Sequence, residues 1–193
     1  MPLDVLRRSV HCHPSCSNFS SLGENRPIHK SVSSSRTGGI LCVCYCGLVL
    51  PELTEEGELP PGVHLADWQE FQARFCGASS RRVWLTGRLR ALIALAATNG
   101  RLRRLFIWGS FVTAKQSPKD LDLLLIMDED FEVEGLAAPA QAVFDSVRAK
   151  LRFESDVFWA RSSIGSEMLD LWLDTYQTSR SFRKRGIVEL ELP

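Results

Sequence analysis

An excess of charge of either sign is missing from this chain: 23 basic side chains face 23 acidic ones across 193 residues. That balance excludes a whole-chain field drawing the protein to nucleic acid or to an anionic membrane, so any such role has to rest on a local patch. Long apolar runs are missing too. None approaches the roughly 18 residues that mark a membrane span. Cysteine is scarce wherever the composition is globular, because five of the six cysteines fall in the first 48 residues and only Cys76 follows. A disulfide framework is therefore excluded from the later part, which suits a reducing cytoplasm.

Those first 48 residues stand apart. They hold nine serines and three of the four histidines but only two acidic residues, Asp4 and Glu24, and all five tryptophans come later. His11, Cys12, His13 and Cys16, then Cys42, Cys44 and Cys46, have a superficial likeness to zinc ligands. The spacing argues against it, since structural zinc sites set two ligand pairs on an ordered hairpin or helix. Alternate cysteines in a strand would also face opposite ways. A signal peptide fits poorly, because the apolar stretch Ile40–Leu50 is preceded by far more chain than a normal n-region. The reading is a disordered leader or start-site extension over 1–48, followed by one domain over 49–193, long enough for a full core.

Within that domain, Pro51–Gly62 is acidic and rich in Pro and Gly, and reads as an extended lead-in. Asp67 is placed to cap a helix through about Phe75, and Ser79 or Ser80 to open a longer one toward Thr98, with Gly100 as its stop. Leu105–Trp108 predicts a buried strand and Asp120–Met127 a second, apolar on both faces beyond its aspartates. The spacing predicts one helix from about Ala138 to Arg152, with Val143, Val147 and Leu151 inward. Ser155–Ala160 predicts a third strand. A helix from Ser163 or Ser166 follows, burying Met168, Leu169, Trp172, Leu173 and Tyr176, then a basic turn over Arg180–Arg185 and a strand over Gly186–Leu192. Alternating helices and strands imply an α/β (α+β) fold, a mixed β-sheet flanked by helices.

The chemistry concentrates at Gly109-Ser110 and at Asp120 and Asp122. Residues two apart on a strand face the same way, so Asp120 and Asp122 project side by side. Carboxylates opening an apolar run are costly to desolvate without a positive partner. A hard divalent cation such as Mg2+ or Mn2+ takes oxygen ligands and shares its site with phosphates. Asp156 is the acidic residue inside the third strand, suited to complete the metal site or to accept the proton of an attacking hydroxyl. Gly109 lets backbone approach a triphosphate, Ser110 offers a hydroxyl and an amide, and Lys115 and Lys119 lie where a cation would neutralise phosphate. Each feature alone has a plainer meaning: a solvated strand end, a capping carboxylate, a loop charge. Their order along the chain is what distinguishes them.

That order resembles the DNA polymerase beta-like nucleotidyltransferase superfamily: Gly-Ser, an intervening stretch, Asp-x-Asp, and a later strand carboxylate. More narrowly, Leu59–His64 (LPPGxH), Gly109–Lys115 (GSFVTAK), the following Pro-x-Asp-x-Asp and the closing GIV strand are similar to an uncharacterised bacterial nucleotidyltransferase-like family. The resemblance implies that Asp120 and Asp122 hold magnesium, that Asp156 completes the site or acts as base, and that Gly109-Ser110 holds the nucleoside triphosphate. Lys119 departs from the pattern, standing where many members carry a small hydroxyl residue. The implied activity moves a nucleoside monophosphate from an NTP to a hydroxyl on a protein, RNA or small molecule. Because no acceptor domain is evident, the alternative is a non-catalytic partner of the same fold, antitoxin-like, that restrains a toxin-like protein in a toxin–antitoxin or defence pair. A glycosyltransferase using Asp-x-Asp is disfavoured by the short chain and the Gly-Ser spacing.

Overall fold

Five strands form one mixed sheet in the computed structural model, which describes residues 50–179 and 181–192. The expected leader, with its cysteines and histidines, lies outside the described residues. Strand β1 (Gly62–Ala66) leads into helix α1 (Trp68–Phe75), then α2 (Ser80–Ala96) and β2 (Leu102–Trp108). A 3-10 turn over Gly109–Val112 and a loop connect β2 to β3 (Leu121–Met127). Helices α3 (Ala138–Phe144) and α4 (Ser146–Phe153) cross to β4 (Ser155–Arg161), and α5 (Ser166–Gln177) leads to β5 (Gly186–Leu190). The sheet order is β1-β5-β2-β3-β4, with β1/β5 and β3/β4 parallel and the two inner pairs antiparallel.

The helix starts follow capping chemistry. The Asp67 side chain accepts from the Glu70 amide at 2.8 Å and Ser79 from that of Arg82 at 3.2 Å, each satisfying an amide with no intrahelical partner. The second helix ends earlier than expected, at the Ala97 cap, whose amide donates to the Ile93 carbonyl at 2.9 Å; Gly100, with φ +68°, lies in the turn that follows.

Three expectations need correction. The lead-in is not free: its Thr54–Glu58 turn docks on the loop after β2, with the Ala114 amide donating to the Gly57 carbonyl at 2.7 Å, and β1 follows directly. The helix expected over 138–152 is two helices. At Asp145 the backbone turns extended, and its carboxylate caps α4 by accepting from the Arg148 amide at 2.8 Å. This break re-phases the inward face, so Ala149 and Phe153 are buried while Val147 and Leu151 stand exposed. On α5, Leu169 and Leu173 are buried and Met168 is exposed.

The sheet separates two apolar clusters. On one face Leu105, Ile107, Leu123 and Leu125 pack with Phe71, Phe75, Leu85, Leu89, Val143, Ala149 and Phe153 from α1–α4. On the other, Phe106, Trp108, Leu124, Ile126 and Ile187 meet Leu169 and Leu173 of α5. The first face is fully clad and the second carries a single helix, so side chains at the ends of β2, β3 and β4 on that side stay within reach of solvent.

Arg82 is buried in the larger cluster at 2 % exposure without a carboxylate partner among the described residues. Its guanidinium instead donates to the carbonyls of Phe75 (2.7 Å), Phe111 (2.8 Å), Thr113 (2.5 Å) and Lys115 (2.7 Å). The planar fork thus ties the end of α1 to the whole GSFVTAK loop. Truncating it would strand those carbonyls, so Arg82→Ala should cost about 3 kcal/mol in urea unfolding. Arg82→Lys should rescue little of it, because a point charge cannot reach four acceptors.

Candidate functional site

Strand register assembles the site. Asp122 lies opposite Trp108 of β2 on one side and Asp156 of β4 on the other. On neighbouring parallel strands ~4.8 Å apart, in-register side chains point the same way. Their faces follow from alternation: Asp122 shares parity with Leu124 and Ile126, and Asp156 with Phe158, which packs on Trp108 and Tyr176 at ring distances of 5.9 and 5.6 Å. Both carboxylates therefore project from the face that carries only α5.

Asp120 joins them through a side chain absent from the expected set. The Lys150 ammonium, on α4, donates to Asp120 Oδ2 at 2.6 Å and to Asp156 Oδ2 at 2.7 Å. One nitrogen bonded to both limits the separation of those oxygens to about 5 Å, two hydrogen-bond lengths. Asp122 is pressed against Gly109, whose φ of +78° is a left-handed conformation. A β-carbon at Gly109 would collide with Asp122 Oδ2 and come within 2.8 Å of its Cγ. Here glycine is required twice, for the turn and for the close approach.

The electrostatics are uneven. Burial, reinforced by the charges of Asp120 and Asp156, pushes the Asp122 carboxyl up to about 6, and Lys150 and Arg185 only partly offset this. Burial opposes the Lys150 charge, yet its hydrogen bonds to Asp120 and Asp156 win and hold the ammonium above its ordinary range.

A pocket of about 440 Å³ is lined by Ser110, which follows Gly109, by Thr113 and Lys115, by the Glu56–Glu58 turn, and by Arg185; none of the three aspartates lines it. Arg185 was expected in an exposed basic turn. It is instead half-buried, with its Nε enclosed and unpartnered among the described residues. Lys119 is exposed and does not line this pocket; only its carbonyl is engaged, by Arg81. The structure thus brings Gly109, Asp120, Asp122 and Asp156 together, sets Ser110 and Lys115 in the pocket of the loop that follows Gly109, and leaves Lys119 outside that pocket.

Among the described residues no group of three or more His, Cys, Asp and Glu side chains is arranged to hold a metal ion. Two of the three expected ligands, Asp120 and Asp156, are instead bonded to the Lys150 ammonium. The donor chemistry nevertheless fits a hard cation, being all oxygen, with Asp122 half-buried, destabilised by like charges and accepting no hydrogen bond from a described residue.

A family model matches residues 51–191, nearly all of the chain that the structure describes. The chain belongs to DUF6932, a family of unknown function. No curated protein and no solved structure matches it significantly. The DUF6932 match takes in both the carboxylates and the two cations that motif reading missed. Lys150 carried no signal, because its helix was expected unbroken and in another phase. Arg185 adjoins Gly186, whose tight packing on Leu59 and Pro60 fixes the start of β5 and hence the arginine.

The raised pKa gives Asp122 a definite effect on stability. Its folded value, about 6, exceeds the ordinary 3.8, so folding disfavours the ionised form. Well below pH 3.8 the group is protonated folded and unfolded and costs nothing; the penalty grows as pH rises from 3.8 through about 6 and is complete above that. Asp122→Asn should therefore stabilise the protein on the order of 1–2 kcal/mol at neutral pH. Urea unfolding across this range checks it, and the gain should vanish by about pH 3.

Proposed function

We propose that this chain is a metal-dependent nucleotidyltransferase that moves a nucleoside monophosphate from an NTP to a hydroxyl group of a protein, RNA or small molecule. The observation that carries the reading is the in-register pair Asp122 and Asp156, with Asp120 tied to the second through Lys150 and Gly109 pressed on the first. Asp120, Asp122 and Asp156 are the residues that would hold Mg2+ or Mn2+. Such a cation, when bound, supplies electrophilic stabilisation of charge on phosphate oxygens.

The chain's own groups do the rest. Ser110, through its hydroxyl and amide, and Lys115 and Arg185, through their charges, would bind the phosphates in the pocket they line. Asp156 is the more open of the two paired carboxylates on Lys150, with 44 % of its side chain exposed against 19 % for Asp120. It is the group suited to take the proton from an acceptor hydroxyl as the acceptor oxygen bonds to the α-phosphorus and pyrophosphate leaves.

A second reading has one observation behind it. Lys150 neutralises two of the three carboxylates internally, as would serve a non-catalytic member of the fold that restrains a toxin-like partner in the bacterial cytoplasm. No helix among the described residues is long and apolar enough to cross a membrane.

Incubating the purified chain with labelled NTPs, magnesium and cell lysate separates the two. Label should pass to an acceptor with the wild type and fall at least ~100-fold with Asp120→Ala/Asp122→Ala, the cost of losing preorganised electrostatic stabilisation. Equal labelling by both proteins rules out catalysis at these carboxylates.

A further inference from the structure

Helix α4 holds Lys150 where its position is well determined. Asp145 fixes the start of the helix, and Ala149 and Phe153 are buried in the larger cluster. Lys150, next to Ala149, reaches the N-terminal ends of β3 and β4, where its Nζ lies 2.6 Å from Asp120 and 2.7 Å from Asp156. The lysine side chain is 40 % exposed, and its neighbours Val147 and Leu151 are more exposed still. The four-carbon stem therefore has open space to swing into.

A point bonded to one oxygen of each of two carboxylates is also where a divalent cation bridging them would lie. An ammonium and a metal ion cannot both occupy it, since like charges so close repel strongly in a half-buried site. Neither can the bridge easily stay empty. Without a cation, Asp120 and Asp156 would add their uncompensated charge to that of Asp122, which already lacks a hydrogen-bonding partner among the described residues.

We propose that Lys150 is a built-in cation that closes the Asp120–Asp156 bridge in the metal-free protein and is displaced when a divalent ion binds, so that it lowers the affinity of the site for metal. This rests on the reading of the three carboxylates as metal ligands. Lys150 is a regulating residue here. It touches two of the ligands, keeps their spacing while no metal is present, and sets the free-ion concentration at which the site fills.

The experiment titrates the full chain with Mn2+ alone, reading the free-ion signal by electron paramagnetic resonance, for wild type, Lys150→Gln, Lys150→Ala and Asp120→Ala/Asp122→Ala. Removing the internal competitor should tighten Mn2+ binding at least about tenfold in both lysine variants. Their melting temperatures should also rise more on adding Mn2+ than that of the wild type, because tighter binding to the native state stabilises it further. Alanine is a strong helix former at an exposed helical position, so this variant keeps the test open should glutamine disturb packing. Equal or weaker binding in the lysine variants, with binding lost in the double aspartate variant, overturns the role of Lys150 and leaves the carboxylate site standing. No Mn2+ binding in either lysine variant overturns both.

Discussion

Strand β3 lies between an antiparallel and a parallel neighbour, and that placement is the constraint on which the site depends. It sets Asp122 opposite Trp108 and Asp156 at once. A one-residue slip of either pairing would turn a carboxylate to the clad face, among leucines, where an ionised group has no partner. The apolar residues that follow, Leu123 to Met127, prevent the slip. Alternate members are committed to opposite clusters, and all of them are buried. The acidic end of the strand is thus held in register by its apolar remainder.

Around this strand, two cations do different work. Arg82 is spent on backbone carbonyls and shapes the loop that carries Ser110 and Lys115; it presents no charge to the pocket. Arg185 has its Nε enclosed, unpartnered among the described residues, in the pocket lined by that loop, and its charge is felt by Asp122. The pocket has two carboxylates of its own on the Glu56–Glu58 turn. A polyanion entering it therefore meets mixed charge, and Lys115, Arg185 and any bound cation would have to outweigh the glutamates.

Most of the architecture was legible because the local signals agreed with the global fold. Asp67 and Ser79 are effective caps, and the apolar run after Asp122 is too dense for anything but a covered strand. Legibility failed where a local pattern had two solutions. The apolar spacing over 138–152 suits one long helix as well as two short ones. Asp145 decides between them by capping the second helix, and nothing nearby in sequence announces that role. Strand β1 was missed because its half-exposed, alternating residues find their partner in β5, at the far end of the chain.

By itself the sequence determined the chemistry on offer: a glycine-serine turn, three carboxylates on or beside strands, and a balance of charge that rules out broad electrostatic attraction. It also determined that β3 is an interior strand, since continuous burial needs continuous apolarity. Only the tertiary structure decided that Asp122 and Asp156 are register partners, that Lys150 lies between Asp120 and Asp156, and that Arg185 faces a pocket. Those are relations between segments far apart in the chain, set by strand pairing and helix phase, and no local spacing encodes them.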